Sequence, residues 1–127
     1  MIKGTGIDIT SVIRIKRIIE RWGDRFLNKV FTEEERIYCL NKAIPAQHFA
    51  ARFAAKEAAF KMLGTGLRDN SWNDVTIYKN SLGKPEVNLQ GKAARKAEKL
   101  GIEKIYISLS HEKNYAVAQV IAEGGFK

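Results

Sequence analysis

Phe49-Ala50-Ala51-Arg52-Phe53-Ala54-Ala55-Lys56-Glu57-Ala58-Ala59-Phe60-Lys61 carries alanine or an aromatic ring on nearly every face of a helix. A helix that is apolar all round is a buried one. The stretch therefore predicts a buried helix, from about Gln47 to Leu63. Gly64-Thr65-Gly66 closes it as a helix stop. These glycines follow a helix rather than precede one, so they are not a Walker A loop, although they leave room for a phosphate to come close. Burial makes the polar residues of the stretch informative. Glu57 and Lys61 stand one turn apart on one side, flanked on the helical wheel by Ala50, Ala54 and Ala58. Small neighbours leave room for a ligand or for another backbone. As a surface ion pair Glu57 and Lys61 would contribute only about 0.2–0.5 kcal/mol. In so alanine-rich a helix, the functional reading stands ahead of that one.

N-terminal to this helix, residues 2–9 read as a strand in which Thr5, Ile7 and Ile9 alternate with Gly4, Gly6 and Asp8. Gly4 and Gly6 do not make a dinucleotide-binding fingerprint. Thr10 or Ser11 can cap a following helix in which Ile15, Ile18, Ile19, Trp22 and Phe26 form an apolar stripe. Phe31-Thr32-Glu33-Glu34-Glu35 is a helix start with Thr32 and Glu35 in capping-box register, and that short helix should end near Pro45. Residues 74–79 and 85–89 read as strands around Asn80-Ser81-Leu82-Gly83. Residues 91–100 read as a basic helix closed by Gly101. Residues 104–110 and 115–122 read as a hairpin around His111-Glu112-Lys113-Asn114. The order β-α-α-α-β-β-α-β-β predicts an α+β fold with an antiparallel sheet in one domain, residues 1–127.

With 127 residues and 45% apolar composition, the chain has the make-up of a globular domain rather than a disordered one. A domain of this size buries roughly two-thirds of its unfolded surface, and oligomerisation could add to that reserve. No apolar run is long enough for a membrane span. The opening Met1-Ile2-Lys3-Gly4 has no signal-like apolar region, which predicts a cytoplasmic protein. Cys39 is the only cysteine, so an internal disulfide and a multi-cysteine zinc site are excluded. The net charge of +8 suits an anionic partner without choosing among nucleic acid, an acidic membrane, a phosphorylated small molecule and an acidic protein.

Placement of the charges narrows that choice. Arg14, Arg17, Arg21 and Arg25 recur at helical spacing beside the apolar stripe. Such a face is either soluble surface or a docking face for an acidic partner. Asp8 lies in an otherwise apolar strand, where a carboxylate must cap a helix, pair, or meet a cation. Asp8 and Glu57 could share a hard cation; magnesium takes a few carboxylates together with water and substrate phosphate oxygens. Lys61 could then reach the same phosphates, as in phosphoryl-transfer chemistry. His111, in a turn, is either solvated or functional.

Gly6-Ile7-Asp8-Ile9, Phe31-Thr32-x-x-Glu35, Arg52-Phe53-Ala54-Ala55-Lys56-Glu57-Ala58-x-x-Lys61, Gly83-Lys84-Pro85, Ser108-Leu109-Ser110-His111 and Tyr115-Ala116-Val117-Ala118 follow one another along nearly the whole chain. Together they resemble the holo-[acyl-carrier-protein] synthases, the small bacterial 4′-phosphopantetheinyl transferases. The resemblance implies a small antiparallel sheet wrapped by helices, assembled as a homotrimer with active sites at subunit interfaces. It implies a Mg²⁺-dependent reaction in fatty acid biosynthesis, in which coenzyme A and apo acyl carrier protein give holo carrier protein and adenosine 3′,5′-bisphosphate. By the same resemblance Asp8 and Glu57 hold Mg²⁺, and Lys61 neutralises the diphosphate and assists the leaving group. Arg52, Ser110, His111 and the Gly83-Lys84-Pro85 turn lie near the nucleotide end, and Arg14, Arg17, Arg21 and Arg25 dock the carrier protein. A metal-bound water or Glu57 could accept the serine proton. The tail Glu123-Gly124-Gly125-Phe126-Lys127 lies outside these motifs. The alternative of another class is a small basic nucleic-acid-binding module. It suits the charge, yet it lacks a recognisable motif and interleaved stacking aromatics, and it leaves Glu57 and Lys61 unexplained.

Overall fold

Alternating side chains make a strand of the first segment, β1 (Ile2–Ser11), and Ser11 ends it by capping α1 (Val12–Trp22), its hydroxyl accepting the backbone N–H of Arg14 at 3.2 Å. There follow α2 (Asp24–Val30), α3 (Glu33–Leu40), α4 (Pro45–Leu63), a 3₁₀ turn at Trp72–Asp74, β2 (Val75–Lys79), β3 (Pro85–Leu89), α5 (Gly91–Lys99), β4 (Ile102–His111) and β5 (Tyr115–Gly124). This computed structural model describes residues 1–65 and 71–125. Gly66, the last residue of the expected helix stop, and Phe126-Lys127 of the tail lie outside the described residues.

The fold is α+β, and its strand pairings are antiparallel. One sheet runs β1-β5-β4; β2 and β3 form a second, two-stranded sheet. α4 lies across one face of the larger sheet. It is buried almost throughout, with Phe49, Ala50, Ala54, Ala55, Ala58 and Ala59 fully enclosed. The C-terminal half of α4 packs on β5, β2 and α5, and its N-terminal half on α1, α2 and α3.

The room left by the small residues is taken by a backbone. At Gly6 a Cβ would stand 1.9 Å from the carbonyl oxygen of Ala58, and at Gly4 one would stand 2.4 Å from that of Met62. Only glycine lets β1 lie this close to α4. The Gly4, Gly6 and Asp8 side of β1 therefore faces the helix, while Ile7 and Ile9 point outward and are 60% and 65% exposed.

Two boundaries and one burial differ from the sequence expectation. The first helix does not run on to Phe26: Gly23 takes φ +52° and splits it into α1 and α2, so Arg25 sits on a different helix from Arg14, Arg17 and Arg21. The third helix ends at Leu40, and Pro45 opens α4 rather than closing α3, because the first turn of a helix needs no N–H from that residue. Trp22, expected on the buried stripe, is 48% exposed.

A charged pair within the core ties these helices together. Thr32 and Glu35 form the expected capping box. Glu35 Oε1 also meets Lys56 Nζ at 2.7 Å, both side chains being fully buried. Glu35 Oε2 accepts the backbone N–H of Ile77 at 2.8 Å, and Lys56 donates to the carbonyl of Val30 at 2.8 Å. The pair thus joins α2, α3, α4 and β2.

Candidate active site

β1 and α4 bring Asp8, Glu57 and Lys61 together. Lys61 Nζ lies 3.2 Å from Asp8 Oδ1 and donates to the Ile7 carbonyl at 3.0 Å. Thr10, buried, donates its hydroxyl to Asp8 Oδ2 at 3.0 Å and so orients the carboxylate. Glu57 sits half-buried beside them. Burial, and then the charge of Asp8, raise its pKa above the usual carboxylate value, and the charges of Lys61 and Arg14 offset part of that rise. Two carboxylates close enough to repel, one of them partly desolvated, form a donor set that a divalent cation would relieve. Among the described residues no group of three His, Cys, Asp or Glu could hold a metal by itself. The pair therefore suits a hard ion that keeps most of its positions for water and phosphate oxygens, as magnesium does.

Arg14 belongs to this neighbourhood as well as to the basic face of α1, since its charge acts on Glu57. Arg17 and Arg21 continue along α1, and Arg25 lies beyond the break.

A second cluster gathers around Tyr38. Arg52 stacks with its Cζ 4.0 Å from the Tyr38 ring centroid; Lys42 Nζ lies at 4.4 Å and Lys79 Nζ at 5.6 Å. Burial pushes the Tyr38 hydroxyl up, but a hydrogen bond from Lys79 and the charges of Lys79, Arg52 and Lys42 leave it below its usual pKa. His48 and His111 meet edge to face with ring centroids 5.0 Å apart. Burial, then the neighbouring His111, Arg52, Lys42 and Lys79, lower His48 to about 4, so it is neutral at neutral pH. Arg52 is 3% exposed, and its Nε has no hydrogen-bond partner. Cations gathered this closely around an unpartnered buried donor make a basin for an anion.

The Gly83-Lys84-Pro85 turn closes the hairpin that carries Lys79. Asn80 Oδ1 accepts the backbone N–H groups of Leu82 and Lys84 at 2.9 and 3.0 Å, and Gly83 has φ +80°. Ser110 precedes His111 on β4 and so points to the other face of the sheet. Of the site residues named from sequence, the structure brings Arg52 and His111 into this cluster; Thr10, Tyr38, Lys42, His48 and Lys79 were not named there as site residues. A signal was present in two i, i+4 pairs, Tyr38 with Lys42 and His48 with Arg52.

A carboxylate pair with a lysine stands beside a separate cationic basin, an arrangement whose chemistry suits phosphoryl-type transfer from an anionic donor. Residues 4–120 match the family model of the 4′-phosphopantetheinyl transferase superfamily, and the chain belongs to that family of enzymes. It is 49% identical over 124 residues to the holo-[acyl-carrier-protein] synthase of Koribacter versatilis, covering 97% of this chain and 99% of that one. The crystal structure of the holo-[acyl-carrier-protein] synthase of Neisseria meningitidis superposes with a TM-score of 0.86 at 39% identity, covering 97% of this chain and 99% of that one. That of Helicobacter pylori in complex with coenzyme A gives 0.82 at 30% identity, covering 94% and 99%. Family membership does not favour the nucleic-acid-binding alternative. Among the described residues no helix is long and apolar enough to cross a membrane.

Proposed function

We propose that this chain, acting as one domain over residues 1–127, transfers the 4′-phosphopantetheine of coenzyme A to a serine of apo acyl carrier protein and releases adenosine 3′,5′-bisphosphate. The observation that carries the reading is the meeting of Asp8, Glu57 and Lys61, remote in sequence, at one edge of α4 in a member of this family. The serine hydroxyl oxygen bonds to the β-phosphorus, and the bond from that phosphorus to the bridging oxygen breaks. A carboxylate oxygen of Glu57 takes the serine proton. Lys61, held at Asp8, neutralises the departing phosphate oxygen. Thr10 keeps Asp8 aimed at the site. Mg²⁺ held by Asp8 and Glu57 supplies charge stabilisation to the diphosphate when bound. The basin of Arg52, Lys42, Lys79 and His111 takes the nucleotide phosphate.

Assembly as a homotrimer with shared active sites belongs to the same proposal. Arg52 and Glu57 are five residues apart, which sets them about 140° apart around α4. The acid pair and the basin thus face different sides of one helix, which suits sites that each draw on two chains. The sheet face not covered by α4 presents Ile7, Ile9, Tyr106 and Tyr115 to the surface, and burial of those side chains between copies would stabilise the assembly. A place in fatty acid biosynthesis in the cytoplasm follows from the acyl carrier partner. The test is mass spectrometry of apo carrier protein incubated with the chain, coenzyme A and Mg²⁺. Gain of one phosphopantetheine per serine is expected; an unmodified carrier after long incubation would overturn the reading.

A further inference from the structure

The chain has two tryptophans, and they are used differently. Trp72 packs inside, with ring centroids 5.0 Å from Phe53 and 6.0 Å from Phe60. Trp22 ends α1 and is 48% exposed, which leaves roughly 100 Å² of indole in water. Its ring is nevertheless not free. Arg21 Cζ stands 5.2 Å and Arg25 Cζ 5.6 Å from the ring centroid, Arg25 approaching from the far side of the Gly23 break. Ile18, one turn back on α1, lies half-buried on the same side of the helix. Around this apolar spot residues 12–30 carry six basic and two acidic side chains.

An exposed indole with two guanidinium groups at cation–π distance is preordered, because the neighbouring arginines restrict its rotamers before a partner arrives. Their N–H groups can pair with carboxylates of a partner. Tryptophan and arginine together are the residue types that concentrate binding energy at protein interfaces. We propose that Trp22 is the apolar anchor of the carrier-protein docking surface, receiving an apolar side chain that the partner borders with carboxylates. The inference rests on the transferase reading above and adds to it a part of the docking energy that salt does not screen. Charge pairs at Arg14, Arg17 and Arg21 weaken as ionic strength rises, whereas burial of the indole does not.

The experiment measures carrier KM at low and high salt, with saturating coenzyme A, for the wild type, Trp22→Ala, Trp22→Phe and Arg21→Glu. Trp22→Ala is expected to raise carrier KM about ten-fold at both salt concentrations, a loss of about 1.4 kcal/mol. It should leave coenzyme A KM within two-fold, which also shows that the variant is folded. Trp22→Phe should recover most of the loss, and Arg21→Glu should raise KM mainly at low salt. Binding of a carrier whose acceptor serine is replaced by alanine should shift tryptophan emission in the wild type but not in Trp22→Phe. A carrier KM within two-fold of wild type in Trp22→Ala would overturn the inference while leaving the transferase reading intact. So would a change in oligomeric mass in that variant, which would assign the ring to a contact between copies. Failure of the wild type to modify any carrier would overturn both.

Discussion

Gly6→Ala should damage stability and transfer together, because β1 touches α4 backbone to backbone at that point. A Cβ there would lie 1.9 Å from the Ala58 oxygen, 2.8 Å from the Ala58 carbonyl carbon and 2.9 Å from the Met62 nitrogen. Ordinary contact is roughly 3.5 Å, so strand and helix must separate by about 1.5 Å. All three obstacles are backbone atoms, so no rotamer change relieves them, and the cost belongs at the upper end of the about 1–3 kcal/mol typical of overpacking. At about 2.1 cal/mol/K of unfolding entropy per residue, 3 kcal/mol corresponds to a fall in Tm of about 11 °C for this length of chain. The functional loss is separable. Asp8 follows Gly6 by two residues, and a misplacement of about 1 Å among reacting groups can cost about 100-fold in rate. Calorimetry and a coenzyme A transfer assay, run well below the lowered Tm, measure the two effects independently. Gly4→Ala should be milder in both, since its worst contact is 2.4 Å and it lies farther from Asp8. A Gly6→Ala variant that melts within 2 °C of wild type and transfers at the same rate would refute the close packing of β1 on α4, and with it the placement of Asp8.

The buried pair gives a second test: Lys56→Met leaves the Glu35 carboxylate uncompensated and should cost about 3–5 kcal/mol in urea unfolding, and a loss under 1 kcal/mol would contradict it. His48 predicts a pH dependence. Its folded pKa of about 4 lies below the ordinary 6.5, so the unfolded chain binds the extra proton; stability should fall as pH drops from 6.5 to about 4 and level off below that. His48→Gln should flatten that part of the profile in thermal melts, and an unchanged slope would be evidence against a neutral, desolvated His48. Mg²⁺ alone should raise the Tm of the wild type but not of Asp8→Ala or Glu57→Ala, and equal shifts in all three would place the ion elsewhere. Charge reversal at Arg14 or Arg21 should raise carrier KM and weaken its salt dependence; at Arg14 kcat should fall too, because its charge acts on Glu57. An Arg14→Glu variant with unchanged kcat would separate it from the site.

The elements that sequence revealed best were those with local chemical punctuation. The all-round apolar character of α4, the capping box at Thr32 and Glu35, and the left-handed Gly64 each act within a turn of themselves. The break at Gly23 left no mark, since helical periodicity continues across Trp22-Gly23-Asp24 and glycine alone does not end a helix. Pro45 was ambiguous because proline fits both the end of one helix and the first turn of the next. Alternation in β1 revealed two faces but not which one is inward. That choice was made by the close approach of the α4 backbone at Ala58 and Met62, which leaves room only for glycine at positions 4 and 6. The Asp8–Lys61 contact was inferable as two acids and a lysine with shared chemistry. The Tyr38 basin was not, because α3, α4, β2 and β4 each contribute to it. The Glu35–Lys56 bond was also hidden, being a long-range pairing whose partners look individually like a helix cap and a surface lysine.

On the proposed transferase reading, docking and chemistry are joined by the way β1 becomes α1. Asp8 is held by Thr10, the next residue caps α1 at Arg14, and the first amide of α1, that of Val12, donates to the Asn114 carbonyl in the β4–β5 turn at 2.9 Å. Between the Asp8 carboxylate and Arg14 the chain therefore passes directly from paired strand into capped helix. Asp8 to Ser11 pair with β5, and the amides of Val12 and Arg14 make the two hydrogen bonds just named. Lys61 then clamps the same strand from α4 through Asp8 and the Ile7 carbonyl. An acidic partner seated on α1 consequently meets the carboxylate pair at a set distance and angle. Under the transferase reading, this is what an enzyme needs when its second substrate is a folded protein. The binding energy collected along α1 is delivered as orientation of one serine, and a rigid strand-to-helix junction keeps it from being lost to hinge motion.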